Sequence, residues 1–90
     1  MDPKVKYIFD AIKKAGVSIT DLSRLTSVSR ESLYRWKNGN PVADRLRLDI
    51  VYRTALRFES ACREGKLPFP DRLKKVQRLK ALRTIIRTSK

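Results

Sequence analysis

The stretch SITDLSRLTSVSRESLYRWKNG, residues 18–39, decides how the rest of the chain is read. Ser18 suits the cap of a helix over residues 19–25, because its hydroxyl can satisfy an amide that the first turn leaves without an acceptor. Asp21, three residues on, can reach back to the cap amide in an Asp variant of the capping box. Leu22 and Leu25 point inward. Thr26-Ser27-Val28 forms a tight turn whose valine plugs the core, and Ser29 caps a further helix running to about Lys37. In that helix Leu33 and Trp36 are the inward pair, and Asn38-Gly39-Asn40-Pro41 ends it.

Working outward, residues 3–15 form a first helix, with Asp2 as cap, Pro3 in the first turn and Gly16 as the left-handed stop. Val5, Ile8, Phe9 and Ile12 make its apolar stripe, while Lys4, Lys6, Lys13 and Lys14 lie off it. A long fourth helix is expected over residues 42–64. One of its stripes is Ala43, Leu46, Ile50 and Thr54; the other is Leu48, Val51, Tyr52, Ala55, Phe58 and Cys62. So wide an apolar face predicts two partner surfaces. Gly65-Lys66-Leu67-Pro68-Phe69-Pro70 breaks the chain, since neither proline can continue a helix. Asp71 starts a fifth helix over residues 71–88, with Leu73, Val76, Leu79, Leu82 and Ile86 in register and Ile85 widening the stripe. Arg72, Lys74, Lys75, Arg78, Lys80, Arg83 and Arg87 cover the remainder. No strand is expected.

The 90 residues bound one small domain, 41% apolar and 34% charged, which suits a folded chain. Such a size buries only about 60–65% of the surface of its unfolded form, so the core is modest and dimerisation is a natural supplement. With 22 basic and 9 acidic side chains the formal net charge is +13, which attracts polyanions. The charge is uneven: residues 1–65 carry 13 basic and 8 acidic groups, and residues 66–90 carry 9 and 1. An anionic membrane is the weaker partner, because the chain has neither a lipidation motif nor a long apolar span.

Enzyme chemistry fails on inventory. With no histidine, one cysteine and no glycine-rich phosphate loop, the usual general base, metal cluster and nucleotide cradle are missing. No catalytic residue, metal site or cofactor is expected. Cys62 cannot form an internal disulfide and reads as a small buried helix residue, and Met1-Asp2-Pro3-Lys4 runs into an amphipathic pattern without a secretory signal. A cytoplasmic compartment is expected.

Leu22, Ser23, Val28-Ser29, Leu33, Trp36 and Gly39 carry a resemblance to the helix-turn-helix of Cro and phage-repressor-type regulators, the XRE-like family. Ser23 is small where the two helices cross. The resemblance implies an all-α, five-helix lambda-repressor-like domain with a long fourth helix and a basic amphipathic C-terminal helix. It divides the chain into a DNA-binding part, residues 1–64, and an appended basic helix, residues 65–90. Two positions depart from the family pattern. Ser27 stands where glycine is usual, and a left-handed backbone there would cost about 1 kcal/mol. Ile19 stands where glutamine often fixes phosphate and recognition-helix side chains.

In this docking mode the N-terminal part of the motif's second helix enters the major groove. The base-contact candidates are therefore Arg30, Glu31, Tyr34 and Arg35. Arginine can bond guanine O6 and N7 together. Glu31 either accepts from a cytosine amine or orients Arg35 four residues on, the second being favoured because phosphate repels an unpaired carboxylate. Ser18, Ile19, Thr20, Ser29, Ser32, Lys37 and Asn38 are backbone-contact candidates. Lys74, Lys75 and Arg78 form an accessory basic face.

The expected function is sequence-specific binding of double-stranded DNA at a near-palindromic operator by a homodimeric regulator. Repressors or controllers of phages, mobile elements or restriction systems fit best. Two rival readings use the same fold. One is a protein-interaction module, an antitoxin or antiactivator whose helix 71–88 binds an acidic protein partner. The other is a non-specific architectural binder. The C-terminal helix itself packs within its own monomer, dimerises, or contacts DNA.

Overall fold

The computed structural model describes residues 2–69 and 74–88. Five helices follow in order: α1 (Pro3–Ala15), α2 (Ile19–Thr26), α3 (Arg30–Lys37), α4 (Arg45–Arg63) and α5 (Lys75–Thr88), with no strand among the described residues. The local signals act as their chemistry requires. Asp2 accepts from the Lys4 amide at 2.9 Å, and Ser18 Oγ accepts from the Asp21 amide at 3.0 Å. Among the described residues the return bond from the Asp21 carboxylate to the Ser18 amide is not formed, so only half of the capping box exists. Gly16 takes φ 69°, and Val17 N–H donates to the Ile12 carbonyl at 2.9 Å, closing α1.

The core is continuous. Val5, Ile8 and Ile12 of α1 meet Leu22, Val28, Leu33 and Trp36 of the central segment, and Leu48, Val51, Ala55 and Phe58 of α4. Val28 in the turn is fully enclosed, as its expected role as a plug demands. α1 packs most extensively on α4. Tyr7 and Tyr52 meet edge to face with centroids 5.3 Å apart, Lys4 Nζ lies 5.4 Å from the Tyr52 ring centre, and Tyr7 OH donates to Glu59. Arg45 Nη1 binds Asp2 Oδ2 at 2.7 Å, and that hydrogen bond, followed by the Lys4 amide, holds the Asp2 carboxyl below its ordinary value.

Several expectations need correction. α2 extends through Thr26, whose Oγ donates to the Leu22 carbonyl at 2.7 Å. α4 starts at Arg45 and not at Val42, because Asp44 takes the cap position and accepts from the Arg47 amide at 3.1 Å. The stripe of Ala43, Leu46 and Ile50 is not covered within the monomer: Leu46 is 79% exposed and Ile50 49%, and only Thr54 is buried. α5 begins at Lys75; the Asp71 start and Leu73 lie outside the described residues. Its inward pair is Leu82 and Ile85, with Ile86 packed beside them, whereas Val76 is 68% exposed. α5 docks on α4, and Arg57 Nη1 donates to the Ile86 carbonyl at 2.9 Å.

Candidate nucleic-acid interface

The turn between α2 and α3 sets the direction in which α3 leaves the body. Ser27 stands at φ 61°, ψ 19°, the left-handed conformation. Its amide donates to the Ser23 carbonyl at 2.8 Å, and the next residue drops Val28 into the core. Ser29 then caps α3 in extended conformation, its Oγ accepting from the Ser32 amide at 3.2 Å and donating to Ser32 Oγ at 2.9 Å. Leu33 and Trp36 bury one side of α3. A helix of eight residues with its back so fixed has its other side free.

Arg30, Glu31, Tyr34 and Arg35 all lie on that free side. Arg35 Nη2 pairs with Glu31 Oε1 at 3.2 Å while both side chains stay more than two-thirds exposed, so the pair orients the guanidinium without sequestering it. Tyr34 is half exposed. Lys37 and Asn38 are exposed where α3 ends.

The backbone-contact candidates fall into three places. Ser29 and Ser32 sit together at the start of α3, their hydroxyls bonded to one another. Ile19 and Lys37 border one shallow cavity of about 440 Å³ with Phe9, Lys13 and Val17, so the start of α2 and the end of α3 are neighbours. Ser18 and Thr20 border another with Asp21, Arg24, Lys75 and Arg78. Of the accessory face, Lys74 and Lys75 are exposed, but Arg78 is partly buried and donates from Nη2 to the Gly16 carbonyl at 2.7 Å. Arg78 thus ties α5 to the end of α1.

The side chains that organise this surface are held by a core shared between the segment 18–39 and its flanking helices. Residues 10–53 match the family model of the Cro/C1-type HTH DNA-binding domain. The chain carries a Cro/C1-type helix-turn-helix domain. The match spans the last part of α1, all of α2 and α3, and the first half of α4; α5 lies beyond it. No curated protein and no solved structure matches the chain.

Within the Cro/C1-type domain two further cations lie beside candidate contact residues. Arg47 of α4 shares a cavity with Ser32 and Arg35 and pairs with Asp44 at 3.2 Å. Arg24 of α2 faces Lys75 and Arg78 across the cavity at Ser18. Neither was identifiable from periodicity, because the path of residues 38–44 brings Arg47 to α3, and the docking of α5 brings Lys75 to α2. No described helix is long and apolar enough to cross a membrane.

Proposed function

We propose that this protein is a sequence-specific, double-stranded-DNA-binding transcriptional regulator, acting as a homodimer on a near-palindromic operator. Arg30, Glu31, Tyr34 and Arg35 meet base edges in the major groove. Ser18, Ile19, Thr20, Ser29, Ser32, Lys37 and Asn38 meet the sugar–phosphate backbone. The observation that carries this reading is the free face of α3, whose guanidinium at Arg35 is aimed by Glu31 and whose opposite side is locked by Leu33 and Trp36.

Repression is the simplest output, since an occupied operator that overlaps a promoter blocks polymerase without any further contact. A repressor or controller protein of a phage, mobile element or restriction system fits such a chain, working in the cytoplasm at the nucleoid. The test compares the duplex upstream of its own gene with a shuffled duplex of equal composition, at near-physiological salt. The expected preference for the upstream duplex is about 10³-fold or more. Equal affinity for both overturns sequence-specific recognition and leaves an architectural binder. Capture of an acidic protein without any DNA preference would favour the interaction-module reading.

A further inference from the structure

The cavity of about 260 Å³ between α2 and α5 is bordered by Ser18, Thr20, Asp21, Arg24, Lys75 and Arg78. Three cations and one carboxylate face it, and among the described residues none of the four forms an ion pair within 4.0 Å. Arg78 is fixed by its 2.7 Å bond to the Gly16 carbonyl, and its Nε–H is buried without an acceptor among the described residues. Its charge is therefore held in place without an ion-pair partner within 4.0 Å among the described residues, Asp21 being the one carboxylate on the cavity wall against three cations. Folding has brought cations from two separate elements to one concavity, where their fields add and focus. An oxyanion offset by those charges also finds hydroxyl donors at Ser18 and Thr20.

We infer that this cavity is a phosphate-binding site completed by α5, with Arg24 and Lys75 as the contacting cations and Arg78 as the residue that positions the α5 side of the site. Its occupant is a phosphodiester of the DNA backbone, an assignment that rests on the DNA-binding reading above. Ser18 caps α2 and Thr20 lies in its first turn, and both are among the residues proposed above to meet the sugar–phosphate backbone. The domain matched by the family ends at residue 53, and α5 adds to it a backbone contact from outside that span. Not all of the basic helix takes part: Lys80 does not border the cavity.

The experiment uses the full chain and a 30-base-pair duplex of random sequence, with affinity measured from about 50 to 200 mM salt. Lys75→Gln is compared with Lys80→Gln, which removes the same charge from elsewhere on the same helix. Losing one phosphate contact lowers the salt slope by about 0.9, so Lys75→Gln flattens the fall in affinity roughly threefold across that range while Lys80→Gln follows the wild type. Circular dichroism melts establish that both exposed substitutions leave the fold intact. Coincident slopes for the two variants overturn the inference. Inorganic phosphate provides the second arm: if millimolar phosphate raises the melting midpoint of the wild type but not of Lys75→Gln while the DNA slopes coincide, the site takes free phosphate and the DNA assignment is overturned. Failure of the wild type to bind any duplex overturns the DNA-binding reading itself.

Discussion

Arg35 follows Glu31 by one turn of α3, and their ion pair fixes a direction more than it adds stability, because exposed pairs of this kind contribute only a few tenths of a kcal/mol. Removing the guanidinium therefore costs recognition and not folding. Arg35→Ala is expected to lose about 1–3 kcal/mol of discrimination at one or two base positions with an unchanged melting midpoint. A binding selection over randomised duplexes checks this, and a wild-type preference at every position would move the reading face elsewhere. That pairing was legible in the sequence from spacing alone, as were Leu33, Trp36 and the caps Ser18 and Ser29. Ser27 was legible as a departure, and its left-handed backbone is now explicit. Ser27→Gly is expected to stabilise the protein by about 0.5–1 kcal/mol, the relief of strain outweighing glycine's entropy. The melting midpoint then rises by about 2–8 °C. Cys62 offers a different readout. Burial, the larger influence, and Glu59 raise its thiol above the ordinary value, against a smaller opposing effect of Lys14. The folded state thus favours the protonated thiol, and the associated stability is present below the unfolded pKa and lost as pH rises through the folded one. Alkylation of native Cys62 should lag behind that of the urea-unfolded chain at mildly alkaline pH, measured as rate against pH.

The elements divide by how local their determinants are. α1, α2 and α3 were readable because capping residues and short periodic stripes act within a turn or two of themselves. α4 was mis-started because Val42 and Ala43 continue its apolar pattern, while the Asp44 carboxylate, by capping the Arg47 amide, sets the true first turn. For α5 the period was right but the buried side was not fully legible. Val76 fits the stripe yet stays exposed, whereas Leu82 and Ile85 are buried in the core and Ile86 packs against it. Gly16 shows the same dependence on distant chain, since a Cβ there would lie 3.1 Å from Pro68 Cβ in addition to the strain of its positive φ. The docking of α5 can be tested directly. Leu82 is fully enclosed, so Leu82→Ala is expected to cost about 2–4 kcal/mol in urea unfolding. A loss below about 0.5 kcal/mol would mean that α5 contributes little to the folded body. The same substitution should also erase the difference between Lys75→Gln and Lys80→Gln, because undocking α5 withdraws Lys75 from α2.

At the scale of the molecule, size and charge together constrain how an operator can be read. The described residues span 35 Å along their longest axis, comparable to the roughly 34 Å of one DNA helical turn. In the proposed dimer one α3 per protomer would read one half-site, which requires two copies held in register with successive major grooves. The excess of positive charge helps every encounter equally: +13 over 90 residues attracts any duplex and cannot by itself select one. In the proposed dimer specificity comes from the simultaneous fit of two reading heads, and that fit depends on the phase of the DNA. Inserting five base pairs between the half-sites turns one by about half a revolution and carries its groove to the far side. Affinity for the altered operator is then expected to fall by about tenfold or more, whereas inserting ten base pairs restores the face but stretches the span. Sedimentation with the unaltered operator should show two protomers per duplex. Insensitivity to the five-base-pair insertion would mean that each protomer binds independently, and two-fold symmetry would then play no part in recognition.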